Sequence, residues 1–338
     1  MRTGETLARA LVDPATTSVL DAAGWTGLIA VARAESLIGS LAHRLDGAPM
    51  PDAALAILAD ARRSAGQAQV QALWEAEMAR RALEPLGVPV VLLKGTAYAA
   101  AGLAPAPGRT IGDLDILVPR DEIERVEAVL IAAGWEWVKE DAYDDLYYRR
   151  WMHELPPLIH RARDRMIDVH HTILPPTARP TPDAAALLED SVALLGGLRI
   201  LSPADMIVHS AAHLFADGDL AGGLRNLWDI DRLLRAFAVA PGFWTALSQR
   251  AARHELQPAV SRALRLAQSI YATPVDPTLA GPARMSDALY RRRLLARDGW
   301  GRERDKGLRF AFYVRSHWLR MPPAMLARHL WTKARKQS

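Results

Sequence analysis

Residues 92–118 read LLKGTAYAAAGLAPAPGRTIGDLDILV. The stretch opens at the end of "VPVVLLK", a short, β-branched, continuous apolar run that predicts a buried strand. It closes in "DLDILV", a second strand that carries aspartates at 113 and 115. Side chains at i and i+2 of a strand share a face, so Asp113 and Asp115 lie side by side. Two carboxylates on one face of a buried strand repel each other and resist leaving water, so something positive belongs between them. A hard divalent cation such as Mg²⁺, which takes oxygen ligands, meets that need. The plainer reading is a solvated strand edge, and it holds for most D-x-D strings.

Three further features favour the cation. Lys94-Gly95-Thr96 stands between the first strand and the start of a small helix, "TAYAAAGL". A glycine there admits a phosphate to the backbone, and a helix N-terminus offers unpaired N–H groups. Arg109 lies on the turn-rich "APAPGR" loop just ahead of the aspartates, within reach of phosphate oxygens. A third carboxylate, Asp168 in "MIDVHH", again interrupts a strand's apolar pattern. Three carboxylates on neighbouring strands can hold two cations about 4 Å apart, an arrangement suited to in-line phosphoryl or nucleotidyl transfer.

Outward from this centre the period changes. Residues 15–85 read as helices, the last of them opened by Pro51 and Asp52 and stopped at Gly87-Val88-Pro89. After "DLDILV", residues 119–134 form a helix started by Pro119 and ended by Gly134. "WEWVK" follows as a strand, and "LYYRRWM", "LPPLIH" and "MIDVHHTI" are read as strands too. From about residue 183 the chain returns to helix. "SPADMIVHSAAHLFADG" starts with Ser202 as N-cap, Pro203 at the first position and Asp205 in the first turn. The expected architecture is α+β: a mixed β-sheet with helices, flanked by N-terminal helices and a C-terminal helical domain. The expected domains are 1–86 (helical), 87–175 (catalytic core) and 176–338 (helical, with a basic end).

The totals agree with such a chain. Its 338 residues are half apolar and rich in Ala, Leu and Arg. With no cysteine, disulfides and thiolate zinc sites are excluded, as in a reducing cytoplasm, where we expect the protein to reside. "MRTGETLARALVDPATT" lacks the apolar centre of a signal peptide, and no apolar run is long enough to span a bilayer. The formal charge of +4 is unevenly placed, because residues 291–338 hold 14 Lys and Arg against 3 acids. That end, with "RFAFYVRSHWLR" and "RHLWTKARK", reads as amphipathic helices with aromatics inward and arginines in water. The alternative is a surface for a polyanionic or peptide partner.

Taken together, "LLKGT…GR…DLDILV…ERVEAVLIAAGW…MIDVHH" resembles bacterial nucleotidyltransferase-fold proteins of largely unassigned substrate, within the polymerase-β-like superfamily. "SPADMIVHSAAHL" and "LRNLWDIDRLL" resemble the helical half of the same proteins, so the likeness spans roughly residues 85–235. It implies a Mg²⁺-dependent enzyme that moves a nucleoside monophosphate from an NTP to a hydroxyl or phosphate of an acceptor. Gly95 and Thr96 would hold the triphosphate, with Lys94 and Arg109 beside them. Asp113 and Asp115 would bind both metals, and Asp168 would complete the set and help activate the acceptor hydroxyl. Thr96 stands where the superfamily carries serine, and the spacer to Asp113 is longer than in many members. Similar proteins are associated with tailoring of ribosomal peptides, such as lasso peptides, and with polysaccharide loci.

Around this set, His170 shares a strand face with Asp168 and is expected to line the site, while His171 points away. His209 and His213 have the i, i+4 spacing of metal ligands, but H-S-A-A-H lacks a zincin's glutamate. The resemblance assigns His213 a place at the nucleotide instead. Asp229 is expected to contact the site, and Asp231 to pair with Arg235 at i+4. Two other functions remain open at this stage: a catalytically silent nucleotide-binding or regulatory protein, and a template-independent RNA nucleotidyltransferase.

Overall fold

The computed structural model describes residues 3–139 and 142–320. The chain begins with α1 (Thr3–Val12), α2 (Ala22–Ala34), α3 (Ile38–Arg44) and the long α4 (Asp52–Leu83). Asp21 caps α2 by accepting from the Gly24 amide at 2.7 Å. In α4, Ala54, Leu58, Ala65, Ala72, Ala76, Ala79 and Leu83 form one buried stripe, as helical spacing demands. Gly87, at φ +65°, ends this region in the left-handed conformation, and the chain turns into the sheet.

The sheet is mixed. It receives β1 (Val91–Leu92), then α5 (Lys94–Ala100), β2 (Leu114–Leu117), α6 (Ile123–Ala132) and β3 (Trp135–Trp137). Next come α7 (Ala142–Trp151), β4 (Leu158–His160), β5 (Met166–His170), α8 (Ala184–Glu189), β6 (Val192–Ala193) and β7 (Arg199–Ile200). The spatial order is β3-β4-β5-β2-β1-β7-β6. β2 is antiparallel to β1 and parallel to β5, and all four of its residues are buried. β2 and β5 are both flanked by strands, and Asp115 and Asp168 lie within them.

Two elements differ from the sequence reading. "LYYRRWM" lies in helix α7, not in a strand. There Arg149 bonds Asp145 one turn back at 2.9 Å and reaches Glu127 of α6 through two bonds of 2.8 Å. The Asp145–Arg149 pair has the i, i+4 spacing of a helix. The second difference is the β6–β7 hairpin, which lies where only helix was expected. Its turn is Gly196-Gly197, both at positive φ, and β7 runs parallel to β1 as Val91↔Arg199 and Leu92↔Ile200.

The remaining helices are α9 (Pro203–Ala212), α10 (Gly223–Phe237), α11 (Phe243–Arg253), α12 (Gln257–Tyr271), α13 (Pro277–Ala280), α14 (Met285–Leu294) and α15 (Lys306–Arg320). Ser202 caps α9 as expected, accepting from the Asp205 amide at 3.2 Å. One contiguous buried cluster runs from Leu7 to Phe312. On α15 the expected inward aromatics are mixed: Phe312 is buried, whereas Phe310 and Trp318 are exposed. The "RHLWTKARK" segment lies outside the described residues. Among the described residues, no helix is long and apolar enough to cross a membrane.

Candidate active site

The parallel register of β2 and β5 sets Asp115 directly beside Asp168 and Leu117 beside His170. Asp113 sits one residue before β2. Carboxylate oxygens of Asp113, Asp115 and Asp168 all lie within 4.8 Å of one another. The structure therefore brings together the three acids that the sequence singled out. Asp115 is buried, Asp168 half-buried and Asp113 exposed, so the cluster grades from the sheet toward solvent.

The positive charge asked for by the aspartates comes from Lys94, and His170 adds a ring contact to the same carboxylate. Lys94 donates from Nζ to Asp115 Oδ1 at 2.6 Å, and His170 Nε2 lies 3.0 Å from the same oxygen. Burial alone would raise the Asp115 pKa, but Lys94 and His170 outweigh it and hold the carboxyl far below its usual range. Burial would likewise discharge Lys94, and Asp115 keeps it charged. Lys94 adopts φ +49°, an uncommon conformation for a side chain with a Cβ, at the point where β1 gives way to α5. Asp168 has no such partner. Its buried Oδ1 lacks a hydrogen bond among the described residues. Burial, then the charges of Asp115 and Glu154, push its pKa up to about 7.

Asp113 and Asp115 form part of one wall of a cleft of about 210 Å³; Asp168, clustered with them, is not among its lining residues. Lys94, Gly95, Tyr98, Arg109, Asp113 and Asp115 line it from the sheet side; His209, Ser210, His213, Arg225, Asn226 and Asp229 line it from α9, α10 and the turn between them. Arg109 is only 5% exposed and donates from Nε to Asp229 Oδ2 at 3.0 Å. The guanidinium lies over Gly95 so closely that a Cβ there would fall 1.8 Å from Nη1. Glycine at 95 thus makes room for Arg109. Tyr98 completes this layer, with its ring 5.5 Å from the Arg109 Cζ and its hydroxyl 3.0 Å from Ser210 Oγ. Thr96 is buried, is not among the lining residues, and its hydroxyl has no partner among the described residues. His213 lines the cleft at the start of a π-helical turn (His213–Asp217), a distortion often found at functional sites. Burial, then Lys94, lower its pKa to about 3, so it faces the cleft as a neutral ring. Asp231 points elsewhere and pairs with Arg235 at 2.8 Å.

The sequence reading did not find Arg225. This side chain enters the cleft from the first turn of α10 and bonds the Asn226 side chain at 3.3 Å. Burial, then repulsion by Arg109, lower its pKa. The available signal was its spacing: Arg225 lies one helical turn before Asp229, hence on the same face. Glu154 and His153 were also missed, because they precede a proline pair in what reads as a loop. A larger cavity of about 360 Å³ lies away from the acids, and two of its three arginines are paired, Arg292 with Asp305 at 2.5 Å and Arg297 with Glu35 at 2.6 Å.

The acid set offers only oxygen donors, and one of them is an orphaned buried oxygen that a cation would satisfy. The residues present therefore fit a hard divalent ion. A carboxylate cluster beside a cleft with cationic side chains suits chemistry on phosphate groups. Residues 21–272 match the family described as uncharacterised nucleotidyltransferase, and the chain belongs to that family of transferases of phosphorus-containing groups. No curated protein matches the chain.

Proposed function

We propose that the protein is a Mg²⁺-dependent nucleotidyltransferase that moves a nucleoside monophosphate from an NTP to a hydroxyl or phosphate of a sugar, a small metabolite or a peptide natural product. The observation that carries this reading is the three-carboxylate cluster, two of whose members, Asp113 and Asp115, line a cleft that also holds Lys94, Arg109 and Arg225. Opposed signs of charge across about 210 Å³ suit a metal-bound triphosphate better than a neutral ligand. Magnesium held by Asp113, Asp115 and Asp168 would neutralise phosphate charge and lower the pKa of an acceptor hydroxyl. Lys94 is poised to exchange Asp115 for phosphate oxygens, and Arg225 supplies a second cation near them. Arg109, fixed by Asp229, shapes the floor beside Gly95. Asp168 would complete the metal set and, through a carboxylate oxygen not engaged by the ion, accept the acceptor's proton. The acceptor oxygen then bonds to the α-phosphorus as the bond to the bridging oxygen breaks, and pyrophosphate leaves.

The test is pyrophosphate release and label transfer from each labelled NTP with Mg²⁺, using a cell extract as acceptor source. Release confined to one NTP is expected, and Asp113→Ala/Asp115→Ala is expected to lose several orders of magnitude in rate. Absence of any NTP binding by the intact protein would overturn the reading. Binding without release in any extract would favour the silent nucleotide-binding alternative.

A further inference from the structure

We propose that His153, Glu154 and His170 form a second cation site, one imidazole away from the carboxylate cluster, for a transition-metal ion of the zinc type. Ligand atoms of the three residues lie within 4.8 Å of one another. His170 joins the two clusters. Its Nε2 lies 3.0 Å from Asp115 Oδ1, and its Nδ1 lies 3.3 Å from Glu154 Oε2. Asp115 can only accept, so Nε2 carries the hydrogen. Nδ1, on the other side of the ring, lies against the Glu154 carboxylate, so an ion placed between them would meet one nitrogen and one oxygen ligand. This is the arrangement of a metal-bound histidine, whose second ring nitrogen donates to a carboxylate.

The distances agree with a shared ion. Tetrahedral ligands at about 2.0–2.1 Å from a metal stand about 3.3–3.4 Å apart. The His170–Glu154 separation is 3.3 Å, and His153 Nε2 lies 3.9 Å from the same Glu154 oxygen. The His153 and His170 rings are 5.2 Å apart between centroids. His153 Nδ1 is buried with no hydrogen-bond partner among the described residues. The backbone holds the three in place: the His171 amide donates to His153 O at 2.9 Å, and the Leu155 amide donates to Val169 O at 2.9 Å. Two imidazoles and one carboxylate leave a fourth position open and select a softer ion than an all-oxygen set does. The protein would thus sort cations by donor type, the softer ion locking the His170 ring and through it Asp115.

The experiment uses the full chain carrying Asp113→Ala/Asp168→Ala, which dismantles the oxygen cluster. After chelation the protein is dialysed against Zn²⁺, or against Co²⁺ as a spectroscopic probe, with excess Mg²⁺ present. The expected result is one retained equivalent of Zn²⁺ and a visible Co²⁺ absorption band. Adding His153→Ala or Glu154→Gln is expected to weaken retention by more than about a hundredfold. Glu154→Gln changes charge without changing size, so its effect does not depend on the fold surviving a truncation. Failure to retain either ion would overturn the proposal. Retention unchanged by both substitutions would overturn it as well. No nucleotide is used, so either failure leaves the nucleotidyl-transfer reading standing.

Discussion

At the scale of single residues, the most constrained position in the cleft is Gly95. Gly95→Ala sets a methyl group 1.8 Å from the Arg109 guanidinium, which is itself held by Asp229. The arginine must move, and Asp229 then loses its partner in a buried setting. We expect Gly95→Ala to lower stability by about 1–3 kcal/mol through overpacking, and Arg109→Ala to cost about 3–5 kcal/mol by leaving a buried charge unpaired. Chemical denaturation measures both, and a double-mutant cycle of Arg109→Ala with Asp229→Ala should show strong coupling. The sequence made Asp113, Asp115 and Asp168 legible because a carboxylate breaks an apolar strand pattern wherever it falls. It also marked Gly95, but for a different reason: the space above its Cα belongs to a side chain fourteen positions on, and no local pattern records such a contact. Arg225, Glu154 and His153 were hidden for the same reason, since each reaches the site only through packing between distant segments.

At the scale of elements, α4 is tied to the sheet by one arginine. Arg163, in the β4–β5 connection, donates to both oxygens of Glu75 at 2.8 and 2.9 Å. Its guanidinium also lies 5.2 Å from the Trp74 ring and 4.7 Å from the Trp135 ring. A lysine keeps the charge but loses the planar fork and the stacking. Arg163→Lys is expected to destabilise the fold by about 1–3 kcal/mol, read as a lower denaturation midpoint with an unchanged denaturant slope. Elements with a long, regular pattern, such as α4 and α6, were legible from period and stop signals. The two-residue strands β6 and β7 were not, because a strand that short carries no period. Gly196-Gly197 was the signal available for their turn. In α7 the loose alternation of the sequence suggested a strand, whereas the chain forms a helix in which Arg149 pairs with Asp145 one turn back and with Glu127 of α6.

At the scale of the whole molecule, the buried histidines set the response to acid. Burial, then Arg120, lower the His171 pKa to about 4. Burial, then Lys94, place His209 well below its usual value. Unfolded, each binds a proton near pH 6.5. Between there and about 4 the unfolded chain therefore binds more protons than the folded one, and stability is lost as pH falls. Asp168 acts in the opposite sense: raised to about 7, its contribution is lost as pH rises toward that value. The histidines outnumber it, so acid is expected to destabilise. His209→Gln should reduce the slope of stability against pH below 6.5 by up to about 1.4 kcal/mol per pH unit, measured by denaturation at a series of pH values.

The parallel pairing of β2 with β5 also has a meaning in time. Strands that run the same way cannot be joined by a tight hairpin, and here the connection passes through α6, β3, α7 and β4 before the second strand arrives. Asp115 is synthesised long before Asp168, and the side chains that complete the cleft, Arg225 and Asp229, come later still. A nascent chain that has emerged only as far as β2 owns two carboxylates and no third. Contacts this distant in sequence close slowly compared with local ones. On the proposed function, the set of side chains that would gather a cation and a triphosphate is complete only once the chain has been made past Asp229.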